Sequence, residues 1–106
     1  METAQRTRRF YHRTSTENAR AILAGGFRDG SGTYLTEQEF SGVWLSDVPL
    51  DGNEGASGDV LLAVEIAPEL VEHYEWIEVG RTFREYLVPS ALINQHARVS
   101  IASEDA

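Results

Sequence analysis

The run from Asp59 to Ile66, Asp-Val-Leu-Leu-Ala-Val-Glu-Ile, is almost continuously apolar and constrains the fold more than any other feature. A strand with one solvent-exposed face alternates apolar and polar residues, whereas a continuous apolar run is typical of a strand buried on both faces. The run therefore predicts the central strand of a sheet. The chain has 106 residues, so we expect one domain, residues 1–106, to pack around this strand.

One helix is predicted near the start of the chain. Thr14-Ser15-Thr16-Glu17 has the capping-box pattern, which satisfies free N–H groups at a helix start. Ala19, Ile22 and Leu23 then recur at helical spacing, and Gly25-Gly26 provides a stop signal. The sequence therefore predicts a helix that begins near Ser15 and ends at these glycines.

Short strands account for most of the remaining pattern. The other predicted strands are Arg8–His12, Gly42–Ser46, Tyr74–Val79, Thr82–Val88 and Arg98–Ile101. Two segments are predicted to be irregular, Phe27–Phe40 and Pro49–Gly58. Short helical turns are predicted over Glu69–Glu72 and Ser90–Asn94. Strands and helices do not alternate, so the predicted fold class is α+β. The sequence has neither a G-x-G-x-x-G nor a P-loop pattern, so any nucleotide must be bound by another kind of site.

Charge is distributed unevenly along the chain. The formal net charge is −8, all nine fixed cations are arginines, and six of them lie between Arg6 and Arg28. From Glu37 to Glu78 there are eleven acidic residues and no arginine or lysine. This acidic segment argues against a broad phosphate-binding surface. The arginine cluster indicates either a binding site for one anionic ligand or simply a solvent-exposed basic strand and helix.

Residue usage also excludes several kinds of site. The chain has no cysteine, which excludes disulfides, thiolate metal ligands and a cysteine nucleophile. The N-terminal Met-Glu-Thr-Ala-Gln-Arg is not followed by an apolar run, so we expect no signal peptide. No segment is long and apolar enough to span a bilayer. We therefore expect a cytoplasmic protein that has no membrane partner.

Three stretches, in this order, carry a resemblance to a known family: Tyr11-His12-Arg13-Thr14 with the later Ile22 and Gly25-Gly26-Phe27, then Gly42-Val43-Trp44-Leu45-Ser46, then Arg84-Glu85-Tyr86-Leu87-Val88-Pro89. Together they resemble the diphtheria-toxin-like and poly(ADP-ribose)-polymerase-like branch of the ADP-ribosyltransferase superfamily. The resemblance touches the start, middle and end of the chain. It implies a small split β-sandwich that uses NAD as a substrate and requires no metal.

The resemblance also implies a role for each matching residue. His12 would hydrogen-bond a ribose hydroxyl of NAD, and Arg13 and Thr14 would lie beside the nicotinamide amide. Trp44 would stack on the nicotinamide ring, and Ser46 would belong to the same cofactor-binding set. Glu85, paired with His12 as the catalytic residues, would stabilise the positive charge that develops as the nicotinamide bond breaks. ADP-ribose would then pass to an unknown protein, nucleic acid or small-molecule acceptor.

Several departures from the family pattern keep other functions open. Arg13 replaces a glycine, Trp44 replaces a tyrosine, and Pro49–Gly58 lacks the usual second stacking aromatic, for which Tyr34 is a distant substitute. Phe83 stands where arginine-modifying relatives carry Gln or Glu. One alternative is a module that binds NAD or ADP-ribose without chemistry. A second is an NAD-dependent RNA 2′-phosphotransferase, which the acidic segment disfavours. A third is an interaction domain whose acidic Glu37–Glu78 segment binds a basic partner.

Overall fold

The computed structural model describes residues 6–28, 30–33, 39–49, 58–77, 80 and 82–104. The strands are β1 (Arg8–Thr14), β2 (Gly30–Thr33), β3 (Glu39–Ser46), β4 (Val60–Ile66), β5 (Glu75–Trp76), β6 (Glu85–Val88) and β7 (Arg98–Glu104); the helices are α1 (Thr16–Gly25) and α2 (Ser90–His96), with 3-10 turns at Pro68–Leu70 and Glu72–Tyr74. Two helices and an antiparallel sheet confirm the predicted α+β class. Tyr34 and residues 50–57 of the predicted loop lie outside the described residues.

The sheet has the strand order β5-β6-β3-β1-β4-β7, and β2 pairs with β3 off this path. Every described pairing is antiparallel. β4 lies between β1 and β7, and six of its seven residues are buried. The prediction of a central strand buried on both faces is therefore confirmed.

The main hydrophobic core lies on one face of the sheet, which we call the core face. Leu62 and Val64 of β4 are completely buried there, beside Phe10 of β1. Both helices contact β4, and they contribute Ala19 and Ile93 to the same core. The residues that alternate with these along each strand lie on the opposite side, which we call the second face.

Helix α1 has the predicted ends. The Ser15 hydroxyl accepts a hydrogen bond from the Asn18 N–H at 3.1 Å, which caps the first turn. At the other end, the Gly26 N–H donates to the Ile22 carbonyl at 2.7 Å. Gly26 has a φ of 92°, a conformation that residues with a side chain rarely adopt. The helix therefore begins and ends where predicted, but its cap is Ser15 with Asn18 three residues on, not the Thr14 and Glu17 of the capping-box pattern.

Other boundaries differ from the sequence prediction. Part of the segment predicted as irregular forms β2, which pairs with β3 from Gly30↔Gly42 to Thr33↔Glu39, because a neighbouring strand satisfies its backbone groups. The predicted strand Tyr74–Val79 is described as strand only at Glu75–Trp76, since Tyr74 closes a 3-10 turn; residues 78 and 79 lie outside the described residues.

Candidate functional site

Strands β1 and β3 form a fork. β1 pairs with β4 along all seven of its residues, whereas its described pairing with β3 is at Tyr11↔Ser46. Past this pair, His12 Nδ1 lies 2.8 Å from the Trp44 carbonyl oxygen. A side chain thus takes the position that a backbone donor would occupy in a regular ladder, and the strands part beyond it.

A hollow of about 580 Å³ lies at the fork. Its walls come from the end of β1, the middle of β3, the last turns of α1 and the residues after that helix. The lining residues are His12, Thr14, Asn18, Ala21, Ile22, Gly25, Gly26, Phe27, Arg28, Gly42, Val43 and Trp44. This volume lies within the range of roughly 300–1,000 Å³ that is typical of small-molecule sites.

The hydrogen bond at the fork fixes the chemistry of His12. A carbonyl oxygen only accepts hydrogen bonds, so Nδ1 carries the proton and Nε2 of the neutral ring is an acceptor. Burial lowers the pKa of His12 from its ordinary value of 6.5, and the bond to the Trp44 carbonyl opposes this shift. The ring also packs edge-on against Phe27, with the centroids 5.3 Å apart. His12 is therefore a held, neutral imidazole that can accept a hydrogen bond from a hydroxyl group.

Three other predicted residues occupy different positions. Thr14 is buried and lines the hollow with His12. Arg13 alternates to the second face, where its Nη1 donates to the Gly58 carbonyl at 3.2 Å. The buried Ser46 hydroxyl lies 2.7 Å from the Val48 carbonyl and does not line the hollow, so it supports the chain where β3 ends.

Trp44 and Glu85 share the second face. Ser46 pairs with Glu85 and Leu45 pairs with Tyr86, so Glu85 lies on the same face as Ser46 and Trp44. His12 belongs to the core face, as does Phe10, whose ring contacts Tyr86 with the centroids 5.2 Å apart. The structure thus brings His12 and Thr14 together at the hollow and places Glu85 on the opposite side of the sheet from His12.

Trp44 takes part in both environments. Its carbonyl holds His12 at the hollow, whereas its indole packs edge-on against Trp76, with the centroids 5.4 Å apart and the planes at 79°. Trp76 pairs with Glu85 across β5 and β6. Trp76 has no local sequence signal that predicts this contact, because its proximity to Trp44 arises from strand order.

Asn94 is a second residue that sequence reasoning missed. Its side-chain amide accepts from the Phe27 N–H at 2.8 Å and donates to the Phe27 carbonyl at 2.9 Å. Phe27 in turn packs against His12. Asn94 therefore attaches the wall of the hollow to helix α2. A contact between residues 67 positions apart has no sequence pattern by which to find it.

No family model, curated protein or solved structure matches this chain. Among the described residues, no helix combines the length and apolar character needed to cross a bilayer. The same part of the chain contains no group of three or more histidine, aspartate or glutamate side chains arranged to hold a metal ion.

Proposed function

We propose that this domain binds NAD at the β1–β3 fork and transfers its ADP-ribose group to an acceptor. The observation that carries the proposal is the His12 ring, which its Nδ1 contact to the Trp44 carbonyl holds at the edge of a ligand-sized hollow. The family resemblance assigns a ribose contact to this same histidine, and a neutral Nε2 acceptor suits a ribose hydroxyl donor. The split β-sandwich that the resemblance implies is part of this proposal; the described strands form one sheet, in which β1 pairs with β3 at Tyr11↔Ser46.

The other residues of the hollow suit the rest of such a ligand. Arg28 is exposed at the hollow and supplies positive charge for a pyrophosphate. Asn18 and Thr14 add polar groups for hydroxyl or amide contacts. Gly25 and Gly26 leave room for the ligand beside the end of α1, because neither carries a side chain.

The transfer step is assigned to the second face. The bond from ribose C1′ to the nicotinamide nitrogen breaks, and its electron pair goes to that nitrogen, which neutralises the ring. The oxocarbenium-like ribose is stabilised by the Glu85 carboxylate, and a nucleophilic atom of the acceptor then bonds to C1′ and loses its proton. Because His12 and Glu85 lie on opposite faces of the sheet, the proposal requires a bound NAD to extend from the hollow to the second face.

Two variants test the proposal. Removing one hydrogen bond is worth roughly 0.5–1.5 kcal/mol, so His12→Ala should weaken NAD binding by a few-fold to about tenfold in calorimetry. Loss of a preorganised charge stabiliser costs on the order of 10²–10³ in rate, so Glu85→Gln should nearly abolish nicotinamide release while NAD affinity changes little. Glu69→Gln, at an exposed 3-10 turn, is the matched control and should change neither quantity.

The location of Glu85 favours a second candidate, a module that binds NAD or ADP-ribose without cleaving it. In this case ADP-ribose binds as tightly as NAD, no nicotinamide is released, and His12→Ala weakens both ligands equally. Release that depends on Glu85 would exclude this candidate. A wild-type protein that shows no heat of binding and no thermal stabilisation with either ligand would exclude both.

A further inference from the structure

Three strands of the sheet start at the same end, and each start carries arginine. β1 is antiparallel to β3 and β4, which are antiparallel to β6 and β7 respectively, so β1, β6 and β7 run in one direction. Arg8 and Arg9 begin β1, Arg84 directly precedes β6, and Arg98 begins β7. We call these four residues the arginine strip. The hollow at His12 lies towards the other end of β1, so the strip is a separate surface.

The carboxylates that form ion pairs with the strip are less exposed than its arginines. The Asp47 side chain is 14% exposed against 51% for Arg8, and the Glu65 side chain is 32% exposed against 52% for Arg9. The β5 carboxylate that pairs with Arg84 is 29% exposed against 64% for the arginine. The outer charge of each pair is therefore positive, although the formal net charge of the chain is −8.

The arginines of the strip are available to another anion. Arg98 is exposed and forms no ion pair with the part of the chain that the structure describes. The pairs of the other three arginines are 3.5–3.8 Å long, and their guanidinium groups are open to solvent, so each pair is weak. A carboxylate from outside can therefore add to the strip at little cost.

The second-face half of the strip is its more positive part. Exposed acids also occur at this end of the sheet, at Glu69 and Glu72 of the two 3-10 turns. These turns pack against the main core through Val71 and so belong to the core-face side. Arg9 and Arg98 are the two strand partners of one β4 residue and lie on the second face, away from those acids.

The strip favours a short acidic segment over a nucleic acid. Guanidinium groups bind both carboxylates and phosphates. β6 and β7 are four strand spacings apart, so the strip is only about 20 Å long. A nucleic acid carries charge along its whole length and would pass from the strip onto the rest of a protein whose formal net charge is −8. A short acidic segment is charged only where it contacts the strip.

The spacing of the arginines fits an extended chain. Arg9 and Arg98 lie in one row across β1, β4 and β7, two strand spacings or about 10 Å apart. Three residues of an extended segment also span about 10 Å. A segment that crosses the strand ends thus presents an acid to each arginine of this row when acids recur at every third position.

We propose that the arginine strip binds an extended acidic segment of a partner protein, in which acidic side chains recur at about every third residue. The interaction is electrostatic, and it does not require the hollow to bind NAD. It differs from the arginine cluster of the sequence, because Arg84 and Arg98 join the surface only through the strand order.

The first test uses a labelled peptide of about twelve residues built from Glu-Ser-Gly repeats, which have this spacing of acids. Its counterpart contains Gln in place of Glu, and a single-stranded DNA of similar length represents nucleic acid. The Glu peptide should bind saturably at low ionic strength and more weakly in about 0.15 M sodium chloride, whereas the Gln peptide should not bind. In NMR spectra the backbone amide signals of Arg9 and Arg98 should move, and those of His12 and Thr14 should not.

Substitutions provide the second test. An exposed ion pair corresponds to at most about a fivefold change in affinity, so Arg98→Gln should weaken peptide binding by roughly two- to fivefold. This variant breaks no described ion pair, so the fold should be retained. Arg20→Gln removes the same charge from an exposed position of α1 and should change the affinity by less than about twofold. Glu65→Gln removes the acid between Arg9 and Arg98 and should strengthen binding several-fold.

Three outcomes would overturn the proposal. The first is the absence of saturable binding of the Glu peptide at low ionic strength. The second is an equal effect of Arg20→Gln and Arg98→Gln, because the peptide would then respond only to net charge. The third is tighter binding of the DNA than of the peptide, which would assign the strip to nucleic acid. These titrations contain no NAD, so failure of the NAD proposal in calorimetry would not alter their result.

Discussion

His12 joins two strands through its side chain, which makes one imidazole responsible for the shape of the fork. Its Nδ1–H reaches the Trp44 carbonyl, and Phe27 covers the ring. The loss of this residue should therefore loosen β3 at Trp44 as well as remove a ligand contact. An Asn side chain at position 12 has an N–H near the place of Nδ1, so His12→Asn should preserve the fork better than His12→Ala does.

The lowered pKa of His12 predicts a pH dependence of stability. A folded-state pKa below the unfolded value of about 6.5 means that the unfolded chain binds more protons in this range. The contribution of His12 to the free energy of unfolding should be greatest above about pH 6.5 and should fall as the pH drops towards the folded-state pKa. Below the folded-state pKa, His12 should cause no further loss of stability. The measurements are an NMR titration of His12 and urea denaturation at several pH values.

His12→Asn serves as the control, because it should remove the part of this pH dependence that arises from the imidazole. A His12 signal that titrates at or above about 6.5 would contradict the prediction, since burial then has no net effect on the ring.

At the level of single residues, the sequence predicted those sites that local pattern defines. His12 and Thr14 end a strand that leads into a capped helix, and both line the hollow. Glu85, predicted as the catalytic partner of His12, lies on the opposite face of the sheet, because the face on which a side chain lies depends on strand register. A shift of one residue reverses that face, and no local feature of Arg84-Glu85-Tyr86 fixes it.

Helix α2 is connected to the hollow through Asn94. The Asn94 amide satisfies both backbone groups of Phe27, directly after the last turn of α1. Asn94→Ala should destabilise the fold by about 1–3 kcal/mol, since it leaves two half-buried polar groups without their partner. It should also raise the pKa of His12 towards its ordinary value, because Phe27 then covers the ring less well. Denaturation and the His12 titration measure these two effects.

Asn94→Asp separates the two hydrogen bonds, because a carboxylate accepts from the Phe27 N–H but has no donor for the Phe27 carbonyl. We expect an intermediate loss of stability. Gln95→Ala, at the exposed position next along α2, is the matched control for the helix itself. An Asn94→Ala protein with wild-type stability and an unchanged His12 pKa would show that Asn94 does not support the hollow.

Two glycines provide a matched pair of substitutions at the ends of β1 and α1. Gly58 has a φ of 123°, and an added Cβ would lie 2.2 Å from the Thr14 carbonyl oxygen. Gly25 has no atom within 4 Å of an added Cβ. Gly58→Ala should destabilise the fold by more than about 2 kcal/mol, whereas Gly25→Ala should be neutral or stabilise it by up to about 1 kcal/mol. Thermal unfolding of both variants measures the difference, and similar melting temperatures would contradict it.

Elements that are fixed by interactions between residues close in sequence could be predicted, whereas elements that depend on pairing between distant residues could not. The Ser15 cap, the paired glycines and the apolar run of β4 act over a few residues, and each predicted element forms. β2 was missed because Gly30–Thr33 has little strand propensity of its own and depends on pairing with β3. The order β5-β6-β3-β1-β4-β7 likewise results from long-range pairing that single-sequence patterns do not encode.

The whole molecule carries a large negative charge, which predicts its response to salt. A formal net charge of −8 on 106 residues produces self-repulsion in the compact state. The described ion pairs, such as Arg8–Asp47 at 3.7 Å and Arg9–Glu65 at 3.5 Å, involve arginines that are half-exposed and contribute at most about 1 kcal/mol each. Added salt should therefore raise the melting temperature as it screens the repulsion.

The measurement is thermal unfolding from low ionic strength to about 0.15 M sodium chloride, the range over which the screening length becomes shorter than the protein. A melting temperature that falls over this range would mean that attractive ion pairs outweigh the net repulsion. Glu65→Gln, which removes one ion pair and one negative charge, should shift the melting temperature only slightly.

The first strand of the chain lies in the middle of the sheet, between β3 and β4. Its ladder partners in β4 follow about fifty residues later, for example Val64 opposite Phe10, so the sheet cannot assemble from consecutive hairpins. Folding should take on the order of milliseconds to seconds, as it does in other folds dominated by distant pairings. Until Arg98–Glu104 has been synthesised and added, the apolar strand β4 has an unpaired edge, and a nascent or truncated chain is then most prone to aggregate.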